Sequence, residues 1–172
     1  MSEKAEMLPA HKTALLGFIL LAEAVGAAAS VITRPAVQNW FPDLVKPSFQ
    51  PPDWLFAPVW VTLYLLMAVA AWRVWRRRGL NNTPLILYAV QLALNCAWSF
   101  IFFGAHRIGL ALIEIATLFV LIVATTIAFW RNDRLARALM LPYIAWVGFA
   151  MALNYAIWTL NGSPAVFLKR DH

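Results

Sequence analysis

The sequence predicts an all-α membrane protein, a five-transmembrane-helix bundle with a long loop between its first and second helices. Of its 172 residues, 62% are hydrophobic and only 13% charged, against about 25% charged in an ordinary soluble domain. Five apolar runs recur along the chain, each near the roughly 20 residues that an α-helix needs to cross hydrocarbon about 30 Å thick. The basic residues gather at the ends of those runs and form no separate patch. The net charge of +6 is therefore a signal of topology, and no nucleic-acid partner is expected.

Residues 1–12 mix Glu3, Lys4, Glu6 and Lys12 and read as a solvated N-terminal arm. The first span follows, Thr13 to Thr33. Its Ala27-Ala28-Ala29 resembles a signal-peptide cleavage site, but the apolar stretch exceeds an ordinary signal core of about 7–15 residues, so a retained helix is expected. From Arg34 to Asp53 the chain carries Pro35, Pro42, Pro47, Pro51 and Pro52, which lack backbone donors and resist helix. This stretch must lie outside hydrocarbon or be packed on protein.

The second span runs from about Phe56 to Trp75 and ends in Arg76-Arg77-Arg78-Gly79, a site also suited to anionic lipid. The third is Pro84 to Phe103, with Pro84 tolerable in a first turn. The fourth is Ile108 to Trp130. The fifth is Ala138 to Leu160, where Pro142 falls in the first turn or makes a kink. Residues 13–160 thus form a single five-helix transmembrane domain and 161–172 a C-terminal tail. Short later connections predict that consecutive helices are antiparallel neighbours.

Orientation follows from Lys and Arg on alternate sides. Nine fall on the N-terminal side (Lys4, Lys12, Arg73, Arg76, Arg77, Arg78, Arg131, Arg134, Arg137) and five on the other (Arg34, Lys46, Arg107, Lys169, Arg170). The expectation is a bacterial cell membrane with the N-terminus cytoplasmic and the C-terminus outside.

The third span has two unlike faces. Gln91, Asn95, Trp98 and Phe102 share one stripe by their spacing, and amides in hydrocarbon need partners, so the stripe should face the bundle interior or a ligand. Roughly 160° away lie Ala89, Ala93 and Ala97, small enough for close helix contact within the bundle or between subunits. Trp60 and Tyr64 share a face of the second span with Met67 a turn on, and Trp146, Ala150 and Asn154 do so on the fifth. Each aromatic taken singly is also explained by helix packing. Three helices presenting Trp beside Asn95 and Asn154 point to a pocket. Trp72, Trp75, Trp130 and Trp158 lie near span ends, where interfacial belts form.

Glu23 and Glu114 fall inside apolar runs, where a carboxyl suggests function; the structural alternative is a protonated group bonded to a neighbouring helix. The single cysteine, Cys96, excludes a disulfide within the chain. No HExxH, Ser-His-Asp pattern, phosphate loop or metal-ligand spacing occurs, so no catalytic residue, metal or cofactor is expected. His11, His106 and His172 fall in arms or short loops and read as solvated or interfacial.

The stretch Trp40-Phe41-Pro42-Asp43-Leu44-Val45-Lys46-Pro47-Ser48-Phe49-Gln50-Pro51-Pro52-Asp53-Trp54-Leu55-Phe56-Ala57-Pro58-Val59-Trp60, then Leu63-Tyr64 and Met67, resembles the signature of the translocator protein family, whose bacterial members are called tryptophan-rich sensory proteins. Gln91, Asn95, Trp98, Phe102-Phe103-Gly104, Pro142-Tyr143, Trp146, Leu153-Asn154 and Leu160-Asn161 continue the match over nearly the whole chain after residue 12. The resemblance implies a five-helix bundle with a cavity beneath the first loop, often a homodimer, binding porphyrins such as protoporphyrin IX. By motif, the pocket residues fall on Trp60, Tyr64, Asn95, Trp98, Trp146 and Ala150, with Phe49, Trp54 and Phe56 from the loop and helix start. Many bacterial relatives carry a Trp where this sequence has Ser48 or Phe49, and Tyr155 lacks the nearby Lys or Arg of the family's sterol pattern. The leading expectation is a tetrapyrrole-binding membrane sensor or regulator. A transporter of the same flat apolar ligands and a light-dependent porphyrin-degrading protein are the alternatives.

Overall fold

The computed structural model describes the backbone of residues 2–162 and the side chains of residues 11–162. The described residues form five long helices, α1 (Ser2–Asn39), α2 (Phe56–Arg78), α3 (Thr83–Ser99), α4 (Ile108–Trp130) and α5 (Arg134–Asn161). All five are long and apolar enough to cross a membrane. The surface is that of a lipid-immersed bundle: Leu20, Val31, Ile113 and Val120 are each at least 60% exposed on the helix exteriors.

Two expectations are corrected. The first helix does not stop at Thr33 but continues through Pro35 to Asn39. A lone proline near a helix end removes only one ladder bond, and the hydroxyls of Ser30 and Thr33 bond back to α1 carbonyls just before it. The loop is correspondingly shorter, running from Trp40 to Pro52 with a short 3-10 turn at Phe41–Asp43 and another beginning α2 at Asp53–Leu55. Its middle is pinned to the end of α5, where Asn161 accepts from the Val45 amide and donates to the Val45 carbonyl, both at 2.8 Å.

The second correction concerns adjacency. Around the bundle the helices run α2, α1, α3, α4, α5 and back to α2, so α1 packs between α2 and α3. The Gly79–Asn82 turn makes α2 and α3 antiparallel, yet they are not close neighbours. Gly79 has φ 73°, the left-handed value that terminates α2. Asn82 caps α3 by accepting from the Leu85 amide at 3.0 Å, and Pro84 sits harmlessly in that first turn. The far end of α3 widens into a π turn at Phe100–Gly104, which turns Phe102 into the interior.

Tight packing is concentrated toward the N-terminal side of the membrane, where Met67, Ala71, Val74, Ile122, Phe129 and Met140 are wholly buried. That end is closed by Asp133. Its carboxylate caps α5 through the Leu135 and Ala136 amides (2.8 and 3.0 Å) and accepts from Arg73 of α2 at 2.9 Å, with Arg77 at 3.2 Å. Burial alone would raise its pKa. The bonds from Ala136, Arg73 and Leu135 outweigh burial and hold it below the ordinary aspartate value. Arg76 lies over Trp72 and Arg137 over Trp130, so two belt tryptophans carry cations at this interface.

Candidate ligand-binding site

The half of the bundle nearer the loop holds a cavity of about 450 Å³ enclosed by α1, α2, α3, α5 and the first 3-10 turn. Phe56, Trp60 and Tyr64 from α2, Asn95 and Trp98 from α3, and Trp146, Ala150 and Asn154 from α5 all line it. These eight were singled out in the sequence. Their helical spacing brings each set to one face, and the ring of helices turns the three faces together. Phe49 and Trp54 are placed elsewhere. Phe49 is exposed with its ring edge-on to Phe149 at 6.3 Å, and Trp54, 72% exposed, lines a shallower outer groove between α2 and α5. Trp146 borders both spaces.

The aromatic walls are mutually braced. Trp60 and Tyr64 lie 5.6 Å apart with rings tilted by 32°, Trp98 stacks on Phe102 at 5.1 Å, and Phe56 meets Trp146 edge-on at 5.7 Å. Gly26 of α1 permits the Tyr64 position, because a Cβ there would come within 2.5 Å of the ring carbon Cε2.

Behind these rings a hydrogen-bond chain links α2, α3 and α5. The Tyr64 hydroxyl donates to Asn95 Oδ1, Asn95 Nδ2 donates to the Tyr143 hydroxyl at 3.0 Å, Tyr143 donates to Gln91 Oε1 at 2.9 Å, and Gln91 Nε2 points to the Met67 sulfur at 3.9 Å. A second chain runs from Trp98 Nε1 to Asn154 Oδ1 at 3.2 Å and from Asn154 Nδ2 to the Ile108 carbonyl at 3.0 Å. Both amides that the sequence set beside a ligand are thus engaged by protein. In this arrangement Asn95 and Asn154 fix the orientation of Tyr64 and Trp98.

Sequence reasoning left most of the α1 wall unassigned. Glu23, Gly26, Ser30, Thr33 and Val37 line the cavity at spacings of three and four, a stripe legible in the sequence had the face of Glu23 been followed to the helix end. Tyr143, wholly buried at the centre of the first chain, was visible only as part of a motif. Ala89 and Ala93 are exposed and Ala97 partly so, all turned away from the cavity. No cluster of three or more potential metal ligands occurs among the described residues.

Fold and site together define an integral membrane helix bundle with an aromatic-walled internal cavity beneath a pinned loop. The description of the TspO/MBR family matches residues 18–159. The chain is 42% identical to the tryptophan-rich protein TspO of Chlorobaculum tepidum over 80% of its length and 89% of that relative's. It is 39% identical to the translocator protein of Sus scrofa over 85% and 89% of the two chains, and 36% identical to the tryptophan-rich sensory protein of Cereibacter sphaeroides over 84% and 90%. The chain belongs to the TspO/MBR family, whose members carry sensor and translocator names.

Proposed function

We propose that the cavity binds a flat, largely apolar macrocycle of the tetrapyrrole type, such as protoporphyrin IX, and that the protein reports or regulates its level in the membrane. The observation that carries this reading is the convergence of Trp60, Trp98 and Trp146 from three helices on one space of about 450 Å³, within the size range of small-molecule pockets. Burial of apolar ligand surface contributes about 25 cal/mol per Å² before association costs, and braced rings lose little freedom on binding. Sensing is favoured over passage because the cavity occupies one half of the bundle while Met67, Ile122 and Met140 pack the other. In a bacterial cell membrane the basic bias would place the N-terminus inside. The outward alanines of α3 support a homodimer.

Titration of the purified protein with protoporphyrin IX, followed by Trp fluorescence, tests the proposal. Saturable quenching at one ligand per chain is expected, together with no protein-dependent porphyrin flux in proteoliposomes. Unsaturable quenching that matches free Trp in the same detergent would overturn binding. Rapid flux would replace sensing by transport.

A further inference from the structure

The cavity is not uniformly apolar: Arg34, Gln38 and the indole N–H of Trp146, unpaired among the described residues, bring donors to its lining, and Glu23 brings a carboxyl. Glu23 lies in the middle of the first span, half-buried on the α1 wall, and its carboxyl has no hydrogen bond or ion pair among the described residues. A carboxyl at that depth demands a partner. Arg34 lines the same wall but stands 11 residues, about 16 Å of helix, nearer the loop. The two hydroxyls nearest Glu23 along this wall already use their protons. Tyr64 gives its hydroxyl proton to Asn95, and Ser30, two turns along α1, gives its own to the Ala27 carbonyl. What each hydroxyl leaves for a ligand is oxygen lone pairs. Glu23 precedes Gly26 by one turn, and the Tyr64 ring lies against Gly26, so the carboxyl and the Tyr64 oxygen belong to the same end of the cavity.

We infer that this deep end selects a ligand bearing a protonated amine or comparable charged N–H group on an otherwise flat apolar body, with Glu23 as its ion-pair partner and Tyr64 Oη as a second acceptor. The aromatic faces of Trp60 and Tyr64 add an environment that favours cations over anions. Glu23 is then a specificity-determining residue, and the cavity accepts the cationic member of a matched ligand pair. The inference rests on the cavity being a ligand site, but not on that ligand being a tetrapyrrole.

The test uses the full chain in phosphatidylcholine nanodiscs with two probes, 1-methylpyrene and 1-pyrenemethylamine, read by energy transfer from Trp and corrected with empty discs. Hydrogen bonds to charged groups predict that the amine binds about tenfold more tightly or better. Glu23→Gln should erase that preference by weakening amine binding toward the 1-methylpyrene level. Equal affinities in the unmutated protein, or a preference that survives Glu23→Gln, overturn the inference. A second measurement needs no variant: a hydrophobic carbodiimide should couple 1-pyrenemethylamine to Glu23 as an amide found by peptide mass spectrometry, and absence of that adduct counts against it. Binding of 1-methylpyrene tests the cavity separately. If neither probe binds, the cavity reading itself fails, whereas binding without amine preference sinks only the selection by Glu23.

Discussion

Replacing Tyr143 by Phe removes one oxygen and leaves the ring, so its effect isolates the hydrogen-bond chain behind the cavity. That oxygen accepts from Asn95 and donates to Gln91, and all three side chains are almost fully buried. Two bonds at the roughly 0.6 kcal/mol average measured between membrane helices give a floor near 1 kcal/mol. Two stranded groups at about 1–3 kcal/mol each give a ceiling near 6 kcal/mol. Tyr64→Phe strands only Asn95 Oδ1, beside a cavity that water can enter, so it should cost half as much or less. Tyr155→Phe, on the exposed outer face of α5, serves as a neutral control. Reversible unfolding in mixed micelles followed by far-ultraviolet dichroism would rank the three. The expected order of loss is Tyr143, then Tyr64, then Tyr155. If Tyr143→Phe matches Tyr155→Phe, the chain does not hold the helices together and the bracing argument fails.

Trp60→Phe and Trp146→Phe should each weaken protoporphyrin IX binding severalfold with helicity intact; affinities equal to the parent's in both variants would remove the aromatic clamp. Because the folded-state pKa of Asp133 is depressed, its contribution to stability is fully present above the ordinary aspartate value of 3.8 and is lost as pH falls through the lower folded value. The parent should therefore lose stability in that acid window more steeply than Asp133→Asn, and parallel pH profiles would contradict the assignment. Ala93→Leu on the exposed face of α3 should shift a dimer toward monomer in analytical ultracentrifugation, while Ala116→Leu on the exposed face of α4 should not. An unchanged dimer would move the interface elsewhere.

Much of the fold was legible because hydropathy and length decide whether a segment crosses a membrane. The five spans need no tertiary information. What sequence could not supply was the ring order. A four-residue turn makes α2 and α3 antiparallel, but whether α1 packs between them depends on side-chain fit across the bundle. Pro35 misled for a local reason, since a proline in the last turns costs one bond and the hydroxyls of Ser30 and Thr33 accompany it.

The candidate site was read best where its residues repeat at helical spacing. Gln91, Asn95, Trp98 and Phe102 form a stripe whose polarity has one physical explanation in hydrocarbon. Phe49 and Trp54 have no such periodicity, and a loop residue's direction is set by its anchors, here Asn161 on Val45. The sequence marked Asn95 and Asn154 as polar, but not what would satisfy them. Tyr143, Trp98 and the Ile108 carbonyl reached them first.

On the proposed reading a flat ligand is held inside the bundle and not in the lipid-facing groove that shares Trp146. Ala150 lines only the cavity and Trp54 only the groove. Affinity for protoporphyrin IX should therefore be measured in Ala150→Trp, which fills the cavity, and in Trp54→Ala, which strips the groove. Loss of saturable binding in Ala150→Trp with near-parental affinity in Trp54→Ala is expected; retained binding in Ala150→Trp with loss in Trp54→Ala would place the ligand in the groove instead.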